Sequence, residues 1–169
     1  MKKELIIIIF VLLIIALVCI GIGFFVSSFI VKTVSKELIY KNSEYGFEIT
    51  LPNSWAGYSI DKTKEWDGIR TDQPVIEGGP DFTGPEVIIK NPKTTTTVKY
   101  QDIPIMVFTP DVWKLVQGDK VAVSAAPIGP FKIGENAKYV FATPPRWYGF
   151  TDDQGWQEAV NIVKTFKAF

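Results

Sequence analysis

The chain has 169 residues, 18 basic and 18 acidic side chains, a formal net charge of zero, no histidine and one cysteine. The absence of histidine excludes a Ser-His-Asp triad, a Cys-His pair and the usual kinds of zinc site, and a single cysteine excludes an intrachain disulfide. Because four lysines and one glutamate precede residue 37, residues 37–169 carry a net charge of −3, which argues against a nucleic-acid-binding surface.

A stretch without charged side chains runs over residues 5–31, after a short tail at residues 1–4. As a helix, residues 5–26 alone would measure roughly 33 Å, enough to cross the hydrocarbon layer of a bilayer, which is about 30 Å thick. A secretory signal peptide would have a shorter apolar region and a small-residue cleavage site such as Ala-x-Ala, which this run lacks. The sequence therefore predicts a transmembrane helix over residues 5–31 in the lipid bilayer, a connector over residues 32–37 and one soluble domain over residues 38–169.

The orientation of the predicted helix does not follow from its flanking charges, because both flanks are basic. Lys2 and Lys3 precede the apolar run, and Lys32, Lys36 and Lys41 follow it. A short charged head followed directly by an apolar run resembles a signal-anchor, which leaves the following domain outside the cell. We therefore expect a single-pass protein of the cell membrane whose soluble domain is extracytoplasmic.

Three small side chains share one face of the predicted membrane helix, because Cys19, Gly23 and Ser27 are spaced by four residues. Small residues allow two membrane helices to approach closely, so this face is a candidate for weak self-association. Chance spacing is the other explanation, since the run contains several small residues. Cys19 follows Val18 and precedes further apolar residues, which favours a small apolar side chain over a lipid attachment site.

The soluble domain opens with a pattern typical of a β-hairpin. Phe47, Ile49 and Leu51 alternate with polar residues, and a turn-forming segment at residues 42–46 separates them from an earlier apolar run. A proline then ends the second strand. Trp55 follows this stop and is predicted to close one end of the core.

Residues 61–84 are rich in glycine and proline and are predicted to be mostly loop, apart from a brief strand at residues 65–70. Their acidic side chains offer two alternatives to a binding function. A carboxylate-based hydrolase would use two of the group Asp61, Asp67, Asp72, Glu77 and Asp81. A calcium site would use the hard oxygen ligands of Glu77, Asp81 and Glu86. Their spacing fits no EF-hand loop and a solvated surface is the ordinary explanation, so we assign no catalytic residue, metal ligand or cofactor.

Two apolar segments in the middle of the chain are predicted to be buried strands. Residues 87–89 form the first, and residues 103–108 form a strand covered on both faces. Thr109, Pro110 and Asp111 then begin a helix, since they supply a cap, a proline at the first helical position and a favourable charge. A glycine ends that helix.

The C-terminal part is predicted to contain a buried irregular crossing at residues 121–133, a strand at residues 138–143, a second helix and a closing strand at residues 166–169. The helix begins after two aspartates, whose charges favour a helix N-terminus. Its apolar stripe is predicted to consist of Trp156, Ala159, Val160 and Val163.

Residues 144–150 lie between the last predicted strand and the second helix and contain prolines, aromatic residues and one arginine. Aromatic and arginine side chains are enriched at protein-binding hot spots, because they bring large contact areas for few lost rotamers. We therefore predict a site for a protein partner at the membrane surface, formed by Arg146, Trp147, Tyr148 and Phe150. The alternative is that Trp147 and Phe150 fold inward and seal the end of the sheet.

The segment YGFEITLPNSW at residues 45–55, together with a final helix leading into TFK at residues 165–167, resembles the PsbP-like family. This family comprises the extrinsic photosystem II protein and its non-photosynthetic bacterial relatives. The resemblance implies that an α+β domain, an antiparallel sheet with helices on both faces, follows the transmembrane helix. It also implies an accessory role, because members act mostly as binding or assembly proteins and share no transferable catalytic motif. We therefore expect a membrane-anchored extracytoplasmic binding or assembly module that is not an enzyme.

Overall fold

The computed structural model describes residue 3 and residues 37–73, 81–123, 128–149 and 153–169. From residue 37 onward these belong to one compact unit, Ser35–Phe169. Within the described part of the chain, no helix is long and apolar enough to cross a membrane. The predicted transmembrane helix, with its small-residue face at Cys19, Gly23 and Ser27, lies outside the described residues.

The described residues form nine strands and two α-helices, as expected for an α+β domain. In chain order they are β1 (Leu38–Asn42), β2 (Phe47–Leu51), β3 (Ser59–Arg70), β4 (Phe82–Lys90), β5 (Ile103–Phe108), α1 (Pro110–Gln117), β6 (Val121–Val123), β7 (Phe131–Glu135), β8 (Val140–Thr143), α2 (Trp156–Val163) and β9 (Lys167–Ala168). A short 3-10 helix, Asn53–Trp55, separates β2 from β3. One sheet has the strand order β1-β2-β9 and the other β6-β3-β4-β5-β8-β7, and neighbouring strands are antiparallel.

The hairpin of β1 and β2 confirms the pattern at the start of the soluble domain. Asn42 Oδ1 accepts hydrogen bonds from the backbone N–H groups of Glu44 and Tyr45, both at 3.1 Å. Gly46 completes the turn with a φ of +78°, a conformation that residues with a Cβ rarely adopt. Alternate residues of β2 are buried, as its period-2 pattern predicts, and β9 pairs with β2 as the predicted closing strand.

The prediction that residues 61–84 are mostly loop is wrong. β3 has twelve residues and pairs with β4 on one side and with β6 on the other. Residues 62–65 are exposed, so this part of the strand shows no apolar alternation in the sequence. Pairing with β4 holds it in the sheet, and β4 itself extends beyond the strand predicted at residues 87–89.

The prediction of a buried irregular crossing at residues 121–133 is wrong at both ends of the segment. β6 pairs with β3 and β7 pairs with β8, so each end is a regular strand at an edge of the six-stranded sheet. Val121 and Val123 are buried, but Phe131 is 53% exposed because an edge strand leaves part of its surface uncovered. Residues 124–127 lie outside the described residues.

Two hydrophobic clusters lie on opposite faces of the six-stranded sheet. Successive side chains of a strand point to opposite faces, and successive residues of β5 belong to different clusters. Ile105 and Val107 belong to the first cluster, whereas Met106 and Phe108 belong to the second. The first cluster also contains side chains of β2 and α2, and the second contains side chains of α1. The prediction that β5 is covered on both faces is therefore confirmed.

Helix α1 begins where the sequence predicts. The Thr109 hydroxyl accepts a hydrogen bond from Val112 N at 3.4 Å, which satisfies one of the free N–H groups of the first turn. Pro110 is the first helical residue, where its missing N–H costs no hydrogen bond. Trp113 and Val116 then face the second cluster.

Helix α2 packs by a stripe that includes Ala159 and Val163, as predicted, but that also includes Ile162 and not Trp156. Ala159 and Ile162 are buried, and Val163 packs against the first cluster from a partly buried position. Trp156 is 36% exposed, so its prediction as a core residue is wrong. The helix begins only at Trp156, directly after Gly155 with its φ of +73°, and the indole at this helix end stacks on the preceding loop instead of the sheet.

Candidate functional site

The loop after β8 carries the residues that the sequence predicts as a partner site. Arg146 is exposed and has a φ of +53°, a left-handed conformation that is uncommon outside glycine. Trp147 is half-buried and packs against the first hydrophobic cluster, as the inward alternative predicts for this residue. Tyr148 is 36% exposed. Phe150 lies outside the described residues.

Trp156 joins this loop from helix α2 and completes the aromatic cluster, which consists of Trp147, Tyr148 and Trp156. The rings of Tyr148 and Trp156 stack with an interplanar angle of 16° and a centroid separation of 5.6 Å. Trp147 meets Tyr148 edge to face, with centroids 5.2 Å apart. Such ring pairs add to the stability from burial. Sequence reasoning missed Trp156 because its spacing also fits the apolar stripe of a core helix.

Backbone hydrogen bonds hold the start of α2 against the segment that precedes β5. Gln154 N donates to Lys99 O and Gln101 N donates to Gln154 O, both at 2.9 Å. Gly155 packs closely on Tyr100, since a Cβ at this glycine would lie 3.3 Å from the tyrosine ring. Trp156 therefore lies at a helix end whose backbone is held in place by these contacts.

A polar cleft of about 420 Å³ lies beside the segment that contacts the start of α2. It is lined by the buried amide side chains of Asn91 and Gln101 and by the ion pair of Lys90 and Asp102, whose charged atoms are 2.8 Å apart. Gln101 Nε2 donates to Asp102 O, but Gln101 Oε1 has no partner among the described residues. The lining combines both charges with amide groups, which suits the binding of polar groups.

The acidic residues that suggest a hydrolase do not gather in the described part of the chain. Asp61 accepts hydrogen bonds from a threonine two residues away, and Asp72 forms an ion pair with Arg70 at 3.0 Å. Asp61 and Asp67 lie at separate points on β3, roughly 20 Å apart along an extended strand. Among the described residues no three potential metal-ligating side chains come together. Glu77 lies outside them.

Glu86 differs from these acids because it is half-buried within β4, opposite Lys64 of β3. Asp81 is not its neighbour, since Asp81 lies before β4 and accepts a hydrogen bond from Arg70 N at 2.6 Å. Burial raises the pKa of the Glu86 carboxyl; Lys64 opposes this shift and Asp61 adds to it. Glu86 is therefore a carboxyl whose charge costs stability rather than a ligand of a formed metal site.

We expect Glu86→Gln to stabilise the protein at neutral pH and to have little effect at acidic pH. Because folding raises this pKa, the folded state holds the proton more tightly than the unfolded chain does. Stability therefore falls as the pH rises from the unfolded pKa, about 4.3, through the folded pKa, and the neutral amide removes this loss. Chemical denaturation of both proteins across that pH range measures the effect.

Asp67→Asn provides the control for this measurement. Asp67 lies on β3, the strand that pairs with β4, and its carboxylate is exposed, so the substitution removes a negative charge without changing a buried group. A Glu86→Gln protein that is less stable than the wild type at neutral pH would contradict the expected result.

No protein-family model matches the chain, and comparisons with curated proteins and with solved structures give no match either. Exposed aromatic rings, an exposed arginine and an adjoining polar cleft supply apolar contact area and hydrogen-bonding groups, which suit binding.

Proposed function

We propose that this chain is a membrane-anchored, extracytoplasmic binding or assembly module, held in the cell membrane by a single transmembrane helix over residues 5–31. In this proposal the soluble domain is PsbP-like, with helices on both faces of its antiparallel sheet, and its partner is a protein at the membrane surface. The observation that carries the proposal is the aromatic cluster, because Tyr148 and Trp156 stack on each other at the surface instead of filling the core.

The stacked pair supports binding for an energetic reason. Each side chain has only two torsions, and the stacking already restricts them, so little conformational entropy is left to lose when a partner covers the rings. Covering the exposed part of each ring would contribute on the order of 2 kcal/mol from apolar area alone. Arg146 is exposed on the same loop and adds a positive charge to it.

We expect the double variant Tyr148→Ala/Trp156→Ala to lose partner binding while the protein remains folded. Some stability is lost with the stacking and partial burial of the two rings, but neither ring belongs to a core cluster. Trp147→Ala is expected to behave differently and to lower the free energy of unfolding by roughly 1–3 kcal/mol, because its half-buried ring contacts the core. Binding is measured on the full chain in its native membrane, with a photo-crosslinking residue at position 146.

Ile69 of β3, which is 48% exposed, provides the control position for the same crosslinking residue. A discrete product from position 146, absent from position 69 and lost in the double variant, supports the proposed site. The same product from both positions, or a product unaffected by the double variant, would overturn it.

We also expect a cysteine in place of Thr96 to react with a membrane-impermeant thiol reagent in intact cells. Thr96 is exposed in the segment between β4 and β5, and a Cys19→Ala background removes the natural thiol. Labelling before and after the membrane is opened measures the fraction of protein facing outward. Reaction only in opened cells would contradict the extracytoplasmic placement of the soluble domain. It would not contradict the proposed binding surface.

A further inference from the structure

The three-stranded sheet has one face on the first hydrophobic cluster and one face turned away from it. Phe47, Ile49 and Leu51 of β2 point into the cluster. The side chains that alternate with these inward residues form the outer face, which consists of Ile39, Lys41, Glu48, Thr50, Lys167 and Phe169. The proposed partner site uses none of them.

Two apolar side chains of the outer face are strongly exposed. Ile39 is 61% exposed and Phe169 is 55% exposed. Lys41 follows Ile39 by two residues on β1, and its Nζ lies 4.6 Å from the centroid of the Phe169 ring. Exposed apolar side chains beside lysines are typical of surfaces at a membrane interface, where the apolar groups enter the headgroup region and the ammonium groups meet anionic lipid.

Phe169 is positioned by hydrogen bonds to two neighbouring turns. Its N–H donates to Gly46 O at 3.0 Å, and Asn136 Nδ2 donates to Phe169 O at 3.2 Å. The same Asn136 amide donates to Tyr45 O at 2.9 Å, so it joins the turn after β7 to the first hairpin. These hydrogen bonds fix the backbone that carries the Phe169 ring.

We propose that the outer face docks on the lipid surface of the membrane, an inference that rests on the proposed transmembrane anchor. Residues 32–37 alone separate the predicted anchor from β1, and an extended chain of this length covers at most about 20 Å. So short a tether keeps β1 at a high effective concentration near the bilayer, where even a weak contact is populated. Lys41 and Lys167 lie on this face, and the ammonium group of Lys41 lies beside the exposed Phe169 ring, where it can meet an anionic headgroup.

The test uses the full chain with Cys19→Ala, reconstituted into phosphatidylcholine vesicles with about 30 mol% phosphatidylglycerol. An environment-sensitive fluorophore is attached to a single cysteine at position 39 or 169. Ile69 and Phe131, which are 48% and 53% exposed on the other sheet, provide matched control positions. We expect the fluorescence at positions 39 and 169 to be about twofold higher than at the controls and to be quenched by spin-labelled lipid.

Charge reversal by Lys41→Glu/Lys167→Glu is expected to reduce that signal, as is replacement of phosphatidylglycerol by phosphatidylcholine. Equal fluorescence at all four positions, on protein that floats with the vesicles, would overturn the docking surface and leave the anchor intact. Failure of the chain to float with the vesicles would instead contradict the proposed anchor. A fluorescence signal that changes neither in the Lys41→Glu/Lys167→Glu variant nor in vesicles without phosphatidylglycerol would overturn the role of the lysines. It would also overturn the proposed match to anionic lipid.

Discussion

Trp66→Ala is expected to lower the free energy of unfolding by about 3–5 kcal/mol, the range for large aromatic truncations in protein cores. Trp66 is 5% exposed and stacks on Phe108 with centroids 4.3 Å apart. Its indole N–H also donates to Val107 O at 2.8 Å, so alanine leaves a buried carbonyl short of one partner. Equilibrium denaturation followed by far-ultraviolet circular dichroism measures the loss.

Gly84 provides an internal check on this result. A Cβ at Gly84 would lie 2.5 Å from the Trp66 indole, so Gly84→Ala is strongly destabilising while the ring is present. In the Trp66→Ala background the same change no longer meets the indole and is expected to cost less, which a double-mutant cycle measures. Additive losses from the two substitutions would show that the ring does not lie over Gly84.

Trp55→Ala is the second change with a large expected effect, again about 3–5 kcal/mol. Trp55 is fully buried in the first cluster and ends the short 3-10 helix Asn53–Trp55, so its removal opens a cavity beneath the end of β2. Among the described residues Trp55 Nε1 has no hydrogen-bond partner, and the indole is near enough to Glu158 to help lower the pKa of that carboxyl. Trp55→Phe is therefore expected to retain most of the stability.

Thermal and denaturant unfolding of the alanine and phenylalanine variants measure this effect, with Trp156→Ala as the control for an exposed indole. A loss below about 1 kcal/mol for Trp55→Ala would contradict burial of this side chain.

The Glu158 carboxylate of α2 also contacts the segment that carries Trp55. Partial burial favours its neutral form, but hydrogen bonds from Ser54 Oγ at 2.6 Å and Lys93 Nζ at 3.1 Å outweigh burial and hold its pKa below the usual value. These contacts join α2 to the segment that carries Trp55 and to the segment after β4. No sequence pattern predicts them, since the three residues are far apart along the chain.

Elements with local signals could be predicted from the sequence alone. The β1–β2 hairpin has an alternating strand beside a turn with Asn42 and Gly46, and α1 has Thr109 and Pro110 at its start. In each case the residues that determine the structure lie within a few positions of one another. Their side-chain hydrogen bonds and backbone preferences act before any distant strand is in place.

The candidate site could be predicted in part for the same reason. The prolines after β8 interrupt regular structure, and the loop they introduce carries Arg146, Trp147 and Tyr148. Trp156 could not be predicted, because its spacing from Ala159 is the spacing of a core stripe. Its exposure depends on where α2 begins and on the position of the Tyr148 ring.

Local residue patterns are enough to predict the hairpin, the apolar strand β5, the start of α1 and the position of an aromatic loop. Contacts in the folded domain, in contrast, place residues 62–65 in a long strand, the two clusters on either side of β5, and Trp156 at the surface. The physical reason is that strand pairing and burial depend on partners remote in the chain. A polar strand such as β3 is stabilised by the hydrogen bonds of β4, and those bonds leave no pattern in its own residues.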